Sequence, residues 1–316
     1  MSSIGGAFPN NRVSLAWIND LAKTAPEELV SCSEAQFEGQ LDQVVGHLNQ
    51  LDPTPQVVAL AGPSSSGKTT CAHKLCSRLT RRGIPCQRIS LDDFYLGDGR
   101  YPLRADGSAD VESIESLDLA AFHRCMVELL ETGSTLLPVF DFVARQPAAQ
   151  GRLCRLPPNG IVVVEGLHAL NPRLAEAIPP ERLYRLFVHV GTTFFAEGVP
   201  ALLPEEDRLI RRLVRDFHHR NHGAAYTLQV WSHVMEGEWV NIEPFRSLAD
   251  GEVDSTLWYE PCVLHHFLGP IVAGMDRSSP LWPRMVALWQ ALERFDDLPK
   301  EIVPQHSLLQ EFVSPV

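Results

Sequence analysis

No apolar run in the 316 residues approaches the roughly 18 needed to cross a bilayer, so no membrane span is expected. The N-terminal stretch lacks the charged-then-apolar order of a secretory signal, and a cytoplasmic location is the expectation. Positive charge is scarce: 27 Lys and Arg against 39 Asp and Glu leave a net charge of −12. A nucleic-acid coat needs a basic face, so neither nucleic acid nor membrane is an expected partner. A small anionic substrate stays compatible, because a local basic cluster can sit inside an acidic whole. The seven cysteines are odd in number and never spaced as CxxC, which argues against a disulfide framework or zinc site and suits a reducing compartment. Internal repeats and long low-complexity tracts are absent. What remains, 45% hydrophobic and 21% charged, suits one large α/β domain with extensions.

Residues 1–12 read as flexible, and 13–50 as helical, with Leu15, Ile18, Leu21, Phe37, Leu41, Val44, Val45 and Leu48 at helical spacing. Asp52-Pro53-Thr54-Pro55 breaks that pattern. Short apolar runs then alternate with longer amphipathic segments. Val57–Ala61, Cys86–Leu91, Ile161–Val164 and Leu183–Val190 read as strands; the segments up to Leu79 and around Leu117–Thr132 read as helices. Strands without polar alternation imply a parallel sheet covered on both faces. A charged helical region spans 205–235, and Trp282, Met285, Leu288, Trp289 and Leu292 form the packing stripe of a terminal helix. The expected division is an N-terminal helical extension (1–52), a nucleotide-binding domain (53–270) and a C-terminal helical extension (271–316).

Gly62-Pro63-Ser64-Ser65-Ser66-Gly67-Lys68-Thr69 satisfies G-x-x-x-x-G-K-[ST] in full, between a strand and a helix. Gly62 and Gly67 allow backbone angles and close approach that a side chain would block. The N–H groups of Ser64, Ser65, Ser66 and the following residues through Thr70 converge on phosphates at a helix N-terminus. Lys68 is expected to reach the β- and γ-phosphates and Thr69 to ligate Mg²⁺. An ATP (or GTP) and Mg²⁺ site is the outcome.

Two acids follow strands toward the edge where open α/β sheets bind ligands. In Ser90-Leu91-Asp92-Asp93-Phe94-Tyr95, Asp92 is placed to receive a hydroxyl proton and contact the metal's water shell; a solvent-facing acidic turn is an equally compatible reading. Glu165, ending Ile161-Val162-Val163-Val164, is placed to orient Mg²⁺ through water. Arg208, Arg211 and Arg215 fall on one helical face, suited to a lid closing on phosphates, while pairing with Glu205, Glu206 and Asp207 is the plainer alternative. His218 and His222 lack a third ligand and are not expected to hold metal.

Together G-P-S-S-S-G-K-T-T, I-S-L-D-D-F-Y, L-P-V-F-D-F, V-V-V-E-G-L-H-A-L-N-P and R-L-I-R-R-L-V-R-D resemble the uridine kinase-like family of P-loop kinases, related to phosphoribulokinases. The resemblance runs from about Val57 to Leu264, with an echo at Ser307–Phe312. It implies transfer of a γ-phosphate to a primary hydroxyl, the ribose 5′-OH in uridine kinases. It also implies that Asp92 is the catalytic acid, that Glu165 is associated with the metal alongside Thr69 and Asp92, and that Arg208, Arg211, Arg212 and Arg215 form the lid. Arg211 and Arg215 would serve catalysis; Arg208 and Arg212 would bind nucleotide. Tyr95, Asp110 and Arg220 fall on its acceptor side. Where uridine-cytidine kinases carry a tyrosine and a histidine at the base, this chain has Phe140 and Arg145, which leaves the acceptor open. Trp231–Leu264, with W-x-x-V-x-x-G-E and Y-E-x-x-V-L, resembles a subgroup of bacterial nucleoside kinase-like proteins. The expectation is a uridine/cytidine-type kinase acting on a nucleoside, with homo-oligomerisation compatible. Alternatives are a kinase for another small alcohol (a sugar phosphate, pantothenate or glycerate) and a nucleotide-binding regulator without phosphotransfer.

Overall fold

A computed structural model describes residues 7–8 and 11–314. Helices α1 (Leu15–Thr24) and α2 (Pro26–Leu48) precede β1 (Val57–Ala61), α3 (Lys68–Arg81) and β2 (Cys86–Ser90). Then come α4 (Leu119–Thr132), β3 (Ile161–Glu165), β4 (Leu183–His189), α5 (Pro204–His219), α6 (Ala224–Asn241), β5 (Gly251–Asp254), α7 (Glu260–Ala273) and α8 (Trp282–Leu292). The five strands form one parallel sheet in the order β5-β4-β1-β3-β2.

The parallel pleat explains the apolar runs. Alternate side chains leave opposite faces of a strand. Val58 and Leu60 of β1 join a core with α1, α2, α3, α5 and α7, while Val57, Ala59 and Ala61 join a second core with α4. Every residue of β1 and β3 is buried. Burying an aliphatic side chain stabilises by roughly 1.5–3 kcal/mol, so both faces must stay covered. Residues from both expected extensions, among them Phe37, Leu41, Met285, Leu288 and Phe312, belong to the same apolar cluster as Leu60.

Local chemistry sets the helix ends. Asp118 accepts the Ala121 N–H at 2.9 Å to start α4, and Gly133 at φ 75° closes it. Pro204 and three acids fill the first turn of α5, with Glu206 accepting the Leu203 N–H at 3.0 Å.

Several expectations need correction. The flexible reading of residues 1–12 lies partly outside the described residues. Within them, Ala7–Phe8 pairs with Arg12–Ser14, which adds to Thr193–Ala196 and Val199–Leu202 in a small sheet. The Arg12 guanidinium lies 3.7 Å over the Phe195 ring there. The helical region 205–235 is two helices separated at 220–223. His222 therefore leaves the helix that carries His218 and packs on Tyr226, 4.6 Å between rings. All seven cysteines are free, and two of them, Cys76 on α3 and Cys86 on β2, bring their sulfurs to 2.6 Å.

Candidate active site

Parallel register builds the site before any side chain is considered. Leu60 stands opposite Glu165, and Glu165 opposite Ser90, so β1, β2 and β3 end together. The glycine-rich loop, the Asp92 turn and Glu165 thus emerge at one sheet edge.

The loop is held where it is by space as much as by bonds. A Cβ on Gly62 would fall on the carbonyl oxygen of Val188. Gly67 has φ 78°, and a Cβ there would meet Leu308 at 2.6 Å. Only glycine fits both positions. α3 starts directly after Gly67, which directs its first N–H groups into the loop. The hydroxyls of Ser65 and Ser66 are buried without a protein partner, whereas Thr69 is exposed. These orphaned donors fit an incoming polyphosphate. The Thr70 hydroxyl donates to Glu311 at 2.6 Å, and the Lys68 ammonium donates to the Pro63 carbonyl at 2.9 Å.

Lys68 is the electrostatic hub. Burial pushes its pKa down, and the charges of Glu165, Asp92, Glu238 and Glu311 oppose that. Asp92 sits in a short 3₁₀ turn, Leu91–Phe94, where the Ser90 hydroxyl accepts the Asp92 N–H at 3.4 Å. Asp92 is an exposed residue, and the protein around its carboxyl raises its pKa by desolvation. Lys68 and Arg220 oppose that rise, and Asp93 adds to it. Glu165 is buried; desolvation raises it and Asp92 raises it further, against Lys68, Ser90 and Arg88. Arg88 holds one Glu165 oxygen at 3.0 Å. Thr69, Asp92 and Glu165, the oxygen donors expected for a magnesium ion, belong to the segments that meet at this edge, and the charges of Asp92 and Glu165 act on Lys68. No cluster of three or more His, Cys, Asp or Glu is placed for metal among the described residues. That donor set fits Mg²⁺, which is commonly bound by one or two carboxylates together with phosphates and water.

The arginine row is placed differently from the expectation. Arg211, expected on the migrating phosphoryl group, is wholly buried beneath the loop. Glu260 grips it at 2.7 Å on both nitrogens, and it donates to the carbonyls of Ser65 at 3.3 Å and Ser255 at 2.8 Å. A guanidinium taken from water demands such partners. Arg208 donates to the Ser64 carbonyl at 3.1 Å and pairs with Glu238. Arg212 donates to the Ser64 hydroxyl at 2.8 Å. Arg215 pairs with Asp216 at 3.2 Å, and burial pushes its pKa down to about 10. Arg220 reaches the same carboxylate at 3.5 Å. Arg208, Arg211 and Arg212 thus support the loop from below, while Arg215 and Arg220 gather on Asp216.

Aromatic side chains wall the other side of the cleft. Phe140 meets Tyr95 at 5.8 Å and Phe142 at 5.1 Å between ring centres, and Tyr95 meets Tyr101 at 6.1 Å. Phe140–Asp141 and Gln146–Pro147 form a short hairpin, and Asp93 accepts the Phe140 N–H at 3.4 Å, tying that hairpin to the Asp92 turn. Arg145, at φ 54° on the hairpin tip, pairs with Asp98 at 2.9 Å. Asp110 is engaged by Arg104 at 3.1 Å. Its neighbour Glu112 was not singled out from sequence, yet its carboxyl lies in the field of Arg212, Lys68 and Arg104, with burial raising its pKa. Only the two-residue separation from Asp110 pointed toward it.

A parallel sheet, a complete phosphate loop and two acids beside its lysine define a P-loop phosphotransferase. Residues 57–178 match the model of the Phosphoribulokinase / Uridine kinase family. A uridine kinase of Saccharomyces cerevisiae is 27% identical over 232 residues, 71% of this chain; the match spans only 42% of that protein's length. A uridine kinase of Borrelia duttonii is 24% identical over 226 residues, 69% of this chain and 96% of its own. Among solved structures, a putative fructose transport system kinase from Silicibacter aligns with TM-score 0.49 and 20% identity, covering 68% of this chain and 98% of that one.

Proposed function

We propose that this chain transfers the γ-phosphoryl group of ATP or GTP to a hydroxyl of a small molecule, with the 5′-OH of uridine or cytidine as the acceptor. Lys68 at the start of α3, with the charges of Glu165 and Asp92 acting on it beside the buried, unpartnered Ser65 and Ser66 hydroxyls, carries the reading. In this reading Lys68 leaves the Pro63 carbonyl for the β- and γ-phosphates, and the buried Ser65 and Ser66 hydroxyls gain the partners they lack. Bound magnesium would neutralise developing charge on the phosphate oxygens, held by Thr69 and, through water, by Asp92 and Glu165. Asp92 orients the acceptor hydroxyl and takes its proton. Desolvation raises its pKa, which makes it a stronger base than a free aspartate. The loose transition state asks mainly for alignment and charge stabilisation, which a rigid loop supplies.

The aromatic wall of Tyr95, Phe140 and Phe142 suits a flat base. Homologues named as uridine kinases support the nucleoside acceptor. ADP release measured across uridine, cytidine, phosphorylated sugars, glycerate and pantothenate tests the assignment. Turnover with both pyrimidine nucleosides is expected. Turnover with a phosphorylated sugar and neither nucleoside would overturn the nucleoside acceptor and give Arg145 a phosphate to bind.

A further inference from the structure

The run Trp231-x-x-Val234-x-x-Gly237-Glu238 on α6 takes no part in the chemistry above, yet it converges on the site from outside. Glu238 is 4% exposed. Its carboxylate accepts the Ser64 N–H at 2.9 Å and takes the Arg208 guanidinium at 2.5 Å to each oxygen. Trp231 lies against that guanidinium, 5.4 Å from ring centre to carbon. The residue before Glu238 faces the other half of the cleft. A Cβ on Gly237 would stand 2.9 Å from the Cβ of Glu112 and 3.2 Å from its Cγ. Downstream, Val240 and Asn241 line a cavity of about 430 Å³ opposite Arg104 and Asp110.

We propose that Glu238 is a positioning residue that fixes the phosphate loop and Arg208, and that the Gly237–Glu238 turn couples this donor side to Glu112 on the acceptor side. The inference rests on the phosphotransfer reading. Its physical basis is that one rigid helical turn touches both halves through adjacent residues. A buried carboxylate shared by a loop N–H and a guanidinium leaves neither free to drift, and displacing Glu112 needs movement of the same turn. Trp231 and Val234 supply the packing that holds the turn, both being buried.

Steady-state kinetics of Glu238→Gln, Glu238→Asp and Gly237→Ala in the full chain test this. Glu238→Gln keeps an acceptor for Ser64 but loses the charge facing Arg208. The expected result is a roughly tenfold fall in kcat with a raised donor KM and an unmoved acceptor KM, the size seen when a supporting group is altered. Glu238→Asp should recover part of that loss. Gly237→Ala should raise the acceptor KM with the donor KM unmoved, and the double variant should be non-additive. Losses explained by the folded fraction alone, with both KM values unchanged, would overturn the proposal. Should Glu238→Gln fail to fold, the Asp and Gly237 variants carry the same test. Calorimetry with MgADP separates the two levels of inference. Unchanged affinity in every folded Glu238 variant removes the positioning role alone, whereas a wild-type chain that binds no MgADP removes the donor site as well.

Discussion

The donor and acceptor halves of the cleft are built in opposite ways. Beneath the phosphate loop, Arg208, Arg211, Glu238 and Glu260 are buried and mutually paired, and loop carbonyls absorb the remaining guanidinium donors. On the acceptor side the pairs are more accessible: the side chains of Arg145 and Asp98 are 60% and 47% exposed, and those of Arg104 and Asp110 25% and 31%. Phe142 and Val143 on that hairpin are largely exposed as well. Breaking a buried ion pair leaves an unpaired charge in low dielectric, whereas an exposed pair contributes about 0–1 kcal/mol. Donor geometry is therefore tied to folding, and acceptor geometry can vary without threatening it.

Substitutions can break that contrast or sharpen it. The largest effect is expected for Asp92→Asn, at the boundary of the halves: turnover should fall about 10²–10⁴-fold while MgADP affinity holds. Coupled ADP release and calorimetry check this; retained turnover would remove Asp92 from the mechanism and leave nucleotide binding without transfer as the better reading. Arg211→Ala should destabilise the fold by about 3–5 kcal/mol, read from urea unfolding, because Glu260 is left buried and unpaired. A loss below about 1 kcal/mol would show that the donor half is not welded to the core.

A pH series tests the same division more finely. Desolvation raises the pKa of Asp92 and Glu165, so each loses its charge at a higher pH than a free carboxylate. The acid limb of kcat/KM should then lie above the usual range near 3.9–4.3. Stability has the opposite sign. A carboxyl with a raised folded pKa contributes most below its unfolded pKa, and loses that contribution as pH rises through the folded value. Across that window these two groups make activity rise while their share of stability falls. An acid limb at the ordinary value would remove the desolvation argument. The smallest effect belongs to Arg145→Ala, which should change stability by no more than about 1 kcal/mol, with any consequence confined to the acceptor KM. Substantial unfolding would erase the distinction between the halves.

Much of the donor half was legible because its chemistry is local. Eight consecutive residues specify the loop, and the apolar runs before Gly62 and Glu165 could hardly be anything but buried strands. The roles of the arginines were harder to read, since their partners are remote in sequence: Glu238 lies 30 residues from Arg208, and Glu260 lies 49 from Arg211. Helical spacing puts side chains on one face but says nothing about what that face meets. β5 escaped notice because it has only four residues, two of them acidic. In the irregular segment before α4 no periodicity distinguishes Asp110, bound to Arg104, from Glu112, which lies in the field of Lys68. The acceptor half, made of turns and short hairpins, offers sequence patterning little to work with.

Gly62 has a consequence for motion. Its close approach to the Val188 carbonyl leaves the loop no room to move toward β4, and the bonds of Ser64 and Ser65 to Glu238, Arg208 and Arg211 resist its moving away. Amide hydrogen exchange in the loop should then be governed by the same large-scale opening that exposes the central strands, rather than by local fraying. A glycine- and serine-rich segment, ordinarily among the fastest to exchange, would here be among the slowest. Nucleotide would then meet a surface whose ordering entropy was spent when the chain folded.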